Sequence, residues 1–195
     1  ESGMLSGNDL EEYMASAMFN GRKMISIINS LLLLASVRKE DVEVAPIDMA
    51  QVAADAVRRL QKQIGDNASR LDLPSEWHTP LGYAPWIEEV WVNYLGNAVK
   101  YGGKGCRVDI TAVRQADGML RYTVTDDGPG LPADRLDELF VPFTRLAQAK
   151  IEGHGLGLSI VKRIIDKLGG EVGVSSAQGE GSSFWFTLPD GEEGK

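Results

Sequence analysis

The stretch from Asp126 to Leu158 constrains this chain more than any other, because two glycine clusters flank a polar segment that carries aromatic residues. The first is Asp126-Asp127-Gly128-Pro129-Gly130 and the second Gly153-His154-Gly155-Leu156-Gly157-Leu158. Glycines one residue apart let a backbone come close to a ligand and turn its N–H groups toward phosphate oxygens, a task that side chains obstruct. The second cluster runs straight into a helical pattern of Ile160, Val161, Ile164, Ile165 and Leu168. That adds the partial positive charge of a helix N-terminus. Two such loops around an intervening segment point to a nucleotide beneath a lid.

Composition sets the outer limits. At 195 residues, 43% apolar and 25% charged, the chain has the make-up of a soluble globular protein with one full domain and an appendage. A net charge of −8 argues against nucleic acid as a partner, which would call for a basic stripe. Cys106 stands alone, so neither an internal disulfide nor a thiolate metal cluster is available. The most apolar run, Ile25 to Val37, is broken by Ser26, Asn29, Ser30 and Ser36. It is too short to span a bilayer, so no membrane contact is expected of it.

Residues 1 to 7 have the character of a flexible end. From Leu10 onward, Leu10, Met14, Ala17, Gly21, Met24, Ile28, Leu31 and Ala35 alternate steps of four and three, a heptad seam that wants a partner helix. So early in the chain, such a helix has little else to pack on. Val42 to Ile47 reads as a short strand ended by Pro46. Asp48 then caps a helix to about Ile64, with Val52, Ala53, Ala56, Val57 and Leu60 on its buried face, stopped by Gly65-Asp66-Asn67. Ser69 to Leu73 alternates as a half-buried strand, and Pro74 to Ala84 is loop with a short strand.

Pro85 suits the first turn of the next helix, which runs to about Tyr101. Asn93, Asn97, Lys100 and Tyr101 fall at i, i+4, i+7 and i+8, so one face carries two carboxamides, an ammonium and a phenol. Val90, Trp91, Tyr94, Leu95 and Ala98 remain to face a sheet. Two Asn one turn apart are unfavourable on such a helix without a polar ligand. A magnesium ion shared with phosphate needs only one or two oxygen ligands from protein. The alternative is a solvated face ending in a lysine.

Gly102 to Gly105 closes that helix. Cys106 to Arg114 and Met119 to Asp126 alternate as strands joined through Asp117-Gly118, a hairpin signal. Asp126 therefore stands at a strand end, where a carboxylate can accept from the exocyclic amine of a base. Leu139-Phe140-Val141-Pro142-Phe143 then places aromatics in a loop, either as a core anchor or as a movable cover. After the helix ending at Gly169-Gly170, Glu171 to Ser175 and Ser183 to Leu188 form a terminal hairpin.

The order of these motifs resembles that of the sensor histidine kinases of two-component systems. Asn93-x-x-x-Asn97-Ala98-x-Lys100-Tyr101 is similar to their N box, Asp126-x-Gly128-x-Gly130 to the first glycine box, Phe140-x-Pro142-Phe143-x-Arg145 to the F box, and Gly153-x-Gly155-Leu156-Gly157-Leu158 to the second glycine box. Gly179-x-Gly181-Ser182-Ser183-Phe184 resembles the last glycine motif of the same ATP-binding domain. The match covers about residues 42 to 189. Residues 8 to 41 resemble the second helix of the dimerisation hairpin that precedes that domain.

The resemblance implies an α+β, two-layer fold of the kind shared by gyrase, Hsp90, histidine kinases and MutL: a mixed sheet of about five strands covered by three helices, preceded by one long helix. Residues 1–41 would be a partial dimerisation hairpin, 42–190 the catalytic ATP-binding domain and 191–195 a tail. ATP and Mg²⁺ are the implied cofactors. Asp126 would bind the adenine amine, with Gly128, Gly130 and Ser182 around it. Asn97, helped by Asn93, would hold Mg²⁺, while Lys100 and Tyr101 reach the phosphates. Gly153, Gly155, Leu156, Gly157 and Leu158 would cradle them, and Phe140, Phe143 and Arg145 belong to the lid. A response regulator receiver domain and a second copy of the chain are the implied partners, in a cytoplasmic setting.

Two departures sharpen this expectation. The ATP-hydrolysing relatives carry a water-activating Glu where this chain has Asn93, and an amide cannot take that proton. Transfer to a protein acceptor is favoured over hydrolysis. The acceptor histidine is also missing: the chain starts after the helix that should carry it, and only His78 and His154 exist. His78 lies in a Pro-rich loop and His154 in the glycine loop, neither in an acceptor motif. A stand-alone serine-directed kinase of the same fold and a non-catalytic interaction module are the alternatives.

Overall fold

The computed structural model describes residues 7–144 and 155–192. Among them run α1 (Gly7–Lys39), β1 (Ala45–Pro46), α2 (Met49–Asn67), β2 (Arg70–Asp72), β3 (Leu81–Gly82), α3 (Ala84–Tyr101), β4 (Arg107–Arg114), β5 (Met119–Asp126), α4 (Gly157–Lys167), β6 (Val172–Ser176) and β7 (Ser182–Pro189). A 3-10 turn at Ala133–Glu138 follows β5. The main sheet has the order β2-β4-β5-β7-β6, and β1 pairs with β3 in a separate ribbon. Only the β2–β4 pairing is parallel. The mixed five-stranded sheet and its three helices are therefore as expected.

Strict alternation builds the core. Leu120, Tyr122, Val124 and Asp126 of β5 are buried and their neighbours turn to the other face. Trp86, Ile87, Val90, Trp91, Tyr94, Leu95 and Ala98 make α3 the central helix. Its Trp91 meets Phe186 and Tyr122 edge-on, with ring centroids 5.3 and 6.1 Å away, and donates its indole N–H to Met49 Sδ at 3.0 Å. Deleting such a buried indole costs about 3–5 kcal/mol, so Trp91→Ala would leave a cavity where α3 packs on the sheet.

Two elements depart from expectation. Gly65-Asp66-Asn67 does not stop α2, because Gln63 donates to Gly96 O and the Asn67 amide to Val99 O, both on α3. Those bonds override the weak helix propensity of the three residues. The helix ends instead at Ala68, in the left-handed region at φ 53°, whose N–H bonds Gly65 O. The strand expected over Val42–Ile47 shrinks to Ala45–Pro46, where Pro46 can donate nothing to a ladder.

The long N-terminal helix also finds something to pack on. Val37 is buried in the core, Ile27, Leu33 and Leu34 lean on it, and Lys167 of α4 pairs with Asp41 just beyond α1 at 3.3 Å. These packed residues lie off the heptad seam, whose Leu10, Met14, Met24, Ile28 and Leu31 are all exposed. No helix among the described residues is long and apolar enough to cross a membrane.

Candidate nucleotide site

Both glycine clusters close on α3. A Cβ on Gly128 would lie 2.6 Å from Gly102 Cα, at the C-terminal end of that helix, and one on Gly157 would lie 2.1 Å from Asn93 Oδ1, about two and a half turns earlier. Between those contacts lies the polar row of Asn93, Asn97, Lys100 and Tyr101. The spacing from Asn93 to Gly102 is about 13 Å of helix, enough to run beside a nucleotide.

Asp126 ends β5, opposite Val108 of β4 and Ser182 of β7. Its carboxylate is buried and accepts from the Gly128 N–H at 3.0 Å. Burial pushes its pKa above the usual carboxylate range, opposed by N–H bonds from Gly128 and Ser182. Adjacent Asp127 is structural: its Oδ1 accepts from Arg107 N at 2.8 Å and its N–H returns to Arg107 O.

The other glycines of this end answer to packing rather than ligand clearance. A Cβ on Gly130 would fall 1.9 Å from Ala177 O, and one on Gly181 1.9 Å from Asp126 O; both have positive φ. The β6–β7 turn is thereby sewn to the first glycine turn, with Gly179 N–H donating to Pro129 O at 2.7 Å. Ser176 completes the seam. Its hydroxyl accepts from Leu131 N at 2.8 Å and donates to Gly181 O at 2.7 Å. Nothing in the sequence marked Ser176, whose role exists only once the two turns meet.

At the other end α4 begins at Gly157 with no side-chain cap. The first N–H groups of an uncapped helix are open to an anion. Leu156 is buried and Leu158 half-buried against the core, so these two offer backbone rather than side chains. Gly155, at φ 67°, accepts the N–H of Phe143 at 2.8 Å, and Phe143 is itself left-handed at φ 65°. Of the two loop aromatics, Phe140 packs on the core whereas Phe143 is 67% exposed. Arg145, Gly153 and His154 lie outside the described residues.

Along the row, Asn93 Nδ2 donates to Glu89 O at 2.8 Å, while the Asn97 carboxamide makes no hydrogen bond among the described residues. An uncommitted, half-buried amide oxygen fits a divalent cation sharing its other ligands with phosphate and water. No three His, Cys, Asp or Glu side chains converge among the described residues. Lys100 Nζ sits 5.0 Å over the Tyr101 ring. It also lines a cleft between α2 and α3 with Arg59, Lys62, Gln63, Asp66 and Asn67; that cleft shares only Lys100 with the row. His78 serves through its carbonyl, accepting the Tyr122 hydroxyl at 3.0 Å.

A buried strand-end carboxylate and two glycine turns thus meet the amide row of one helix in a two-layer α+β domain. The chain belongs to the histidine kinase-, DNA gyrase B- and HSP90-like ATPase family, whose model matches residues 82–192. It is 35% identical over 179 residues to the sensor histidine kinase AruS of Pseudomonas aeruginosa, covering 86% of this chain and 18% of that protein. Full-length ShkA, solved in complex with AMPPNP, superposes with a TM-score of 0.78 at 27% identity, over 97% of this chain and 40% of that one. The histidine kinase ThkA, solved with the response regulator protein TrrA, shares the fold at a TM-score of 0.77 and 20% identity, over 100% and 55% of the two chains. This chain thus spans well under two thirds of these relatives.

Proposed function

We propose that this chain is the ATP-binding catalytic portion of a sensor histidine kinase, which transfers the γ-phosphoryl of Mg-ATP to a histidine outside these residues for relay to a response regulator. The observation that carries this is the seating of both glycine turns on α3, at either end of its polar row. Asp126 would accept the adenine amine, and its two backbone donors hold the carboxylate in place for it. Asn97 would give an oxygen to Mg²⁺, Lys100 and Tyr101 would meet the phosphates, and the first turn of α4 would cap them. Bound ATP supplies the phosphoryl group; the protein's work is positioning and charge neutralisation.

Asn93 supports transfer over hydrolysis, since an amide cannot activate water. The open seam of α1 favours pairing with a second copy, the arrangement in which this family's kinases present an acceptor helix. A receiver domain is the partner that consumes the phosphoryl group, and a cytoplasmic location follows from the supply of ATP. The test incubates the chain with labelled Mg-ATP and a separate helical hairpin carrying an acceptor histidine. Acid-labile label on that histidine is expected. Label on serine, or none despite bound nucleotide, would overturn the proposal.

A further inference from the structure

Asn93 and Asn97 stand one turn apart on α3, yet they are engaged differently. Asn93 Nδ2 donates to Glu89 O at 2.8 Å. That bond fixes which way the amide points, since the flipped form would set two oxygens face to face. Oδ1 is thereby turned toward Gly157, where a Cβ would lie 2.1 Å away. Gly157 has no positive φ; it sits in the first turn of α4, where glycine is a poor helix former and alanine would be preferred on backbone grounds. What a Cβ there would meet is the Asn93 carboxamide, which can swing clear only by giving up its bond to Glu89 O. Asn97, by contrast, has its amide uncommitted among the described residues.

We infer that Asn93 is a positioning residue: its carboxamide is the stop on which Gly157 seats the second glycine turn, and the metal is left to Asn97. The inference rests on the nucleotide site proposed above and divides the labour of its two amides. Arg59 supports the stop from behind, pairing with Glu88 and Glu89 at 2.9 and 2.7 Å on the turn whose carbonyl holds Asn93.

The test uses the 195-residue chain as wild type, Gly157→Ala, Asn93→Ala and the double variant. ATP affinity is measured with Mg²⁺ and with EDTA, and melting temperature without nucleotide. Gly157→Ala alone is expected to weaken ATP binding tenfold or more under both conditions and to lower the melting temperature by several degrees. Adding Asn93→Ala should return both to within about threefold and two degrees of Asn93→Ala alone, because the collision is gone. If Gly157→Ala does not fold, a folded double variant is itself the rescue, and failure of both to fold overturns the inference.

Asn93→Asp separates stop from ligand by sign. A carboxylate strengthens a magnesium site but loses the N–H given to Glu89 O and faces that carbonyl with charge. Weaker binding with and without Mg²⁺ is expected; tighter binding confined to Mg²⁺ would overturn the inference, as would simple additivity in the double variant. Should the wild type bind no ATP, the nucleotide reading falls, while the melting temperatures still decide the interlock: rescue upholds it and additivity overturns it.

Discussion

Two neighbouring parts of the site are made differently. Around Asp126, three glycines abut backbone atoms, three strands run in register and Ser176 ties two turns together. Around Lys100 and Tyr101 the groups are side chains at a helix end, with Tyr101 exposed and Lys100 half-exposed. The first part is shaped before any ligand arrives, as the proposed recognition of a flat base would require. The second holds an ammonium and a phenol on rotatable arms, as would suit the proposed grip and release of phosphates. Changes at the Asp126 part should therefore alter fold and binding together unless they preserve shape, and changes at the other should alter binding alone.

Asp126→Asn is the sharpest probe, because it keeps shape and removes charge. ATP binding is expected to fall at least about 100-fold, near the ~3 kcal/mol of a hydrogen bond to a charged group. Calorimetric titration reads that loss. The melting temperature at pH 7 should hold or rise, since the raised pKa marks an ionised form that burial disfavours. The sign follows from linkage: Asp126 favours the folded state most when protonated, and that contribution is lost as pH rises through its folded pKa. Nucleotide binding runs the opposite way, weakening on acidification from a pH above the ordinary carboxylate value, and a binding-versus-pH series on wild type checks it. A destabilised Asp126→Asn protein would break the contrast.

Gly130→Ala tests the packing of the same part. Its Cβ would strike Ala177 O at positive φ, so about 2–4 kcal/mol of stability should be lost from strain and overpacking together, as measured by urea unfolding. Lys100→Ala probes the side-chain part. About tenfold weaker ATP binding is expected, shrinking as salt is raised, with unfolding changed by under about 1 kcal/mol. Ala68→Gly, remote from both, relieves a left-handed alanine and should stabilise by up to about 1 kcal/mol without altering affinity.

Much of this was legible wherever chemistry is local. The Asn93–Tyr101 row, Asp126 at its strand end and the uncapped start of α4 follow from spacing within a single element. The reasons for the glycines did not. Gly130 is read from sequence as clearance for a ligand, but its crowding comes from Ala177, nearly fifty residues away in the chain, and Gly181 is likewise crowded by Asp126. Ser176 and the continuation of α2 past Gly65 belong to the same class, fixed by atoms that meet only after folding. Asn93 is intermediate, since its face was evident and its contact with Gly157 was not.

One consequence concerns where the molecule can be cut. Val37 fills a place in the core and Asp41 reaches Lys167 at the far end of α4 from its glycine turn. A truncation at residue 42 would follow the motif boundary yet strip an apolar plug from a hole it occupies, leaving greasy surface against solvent. Expression trials that retain residues from about 27 onward should give the better-behaved protein.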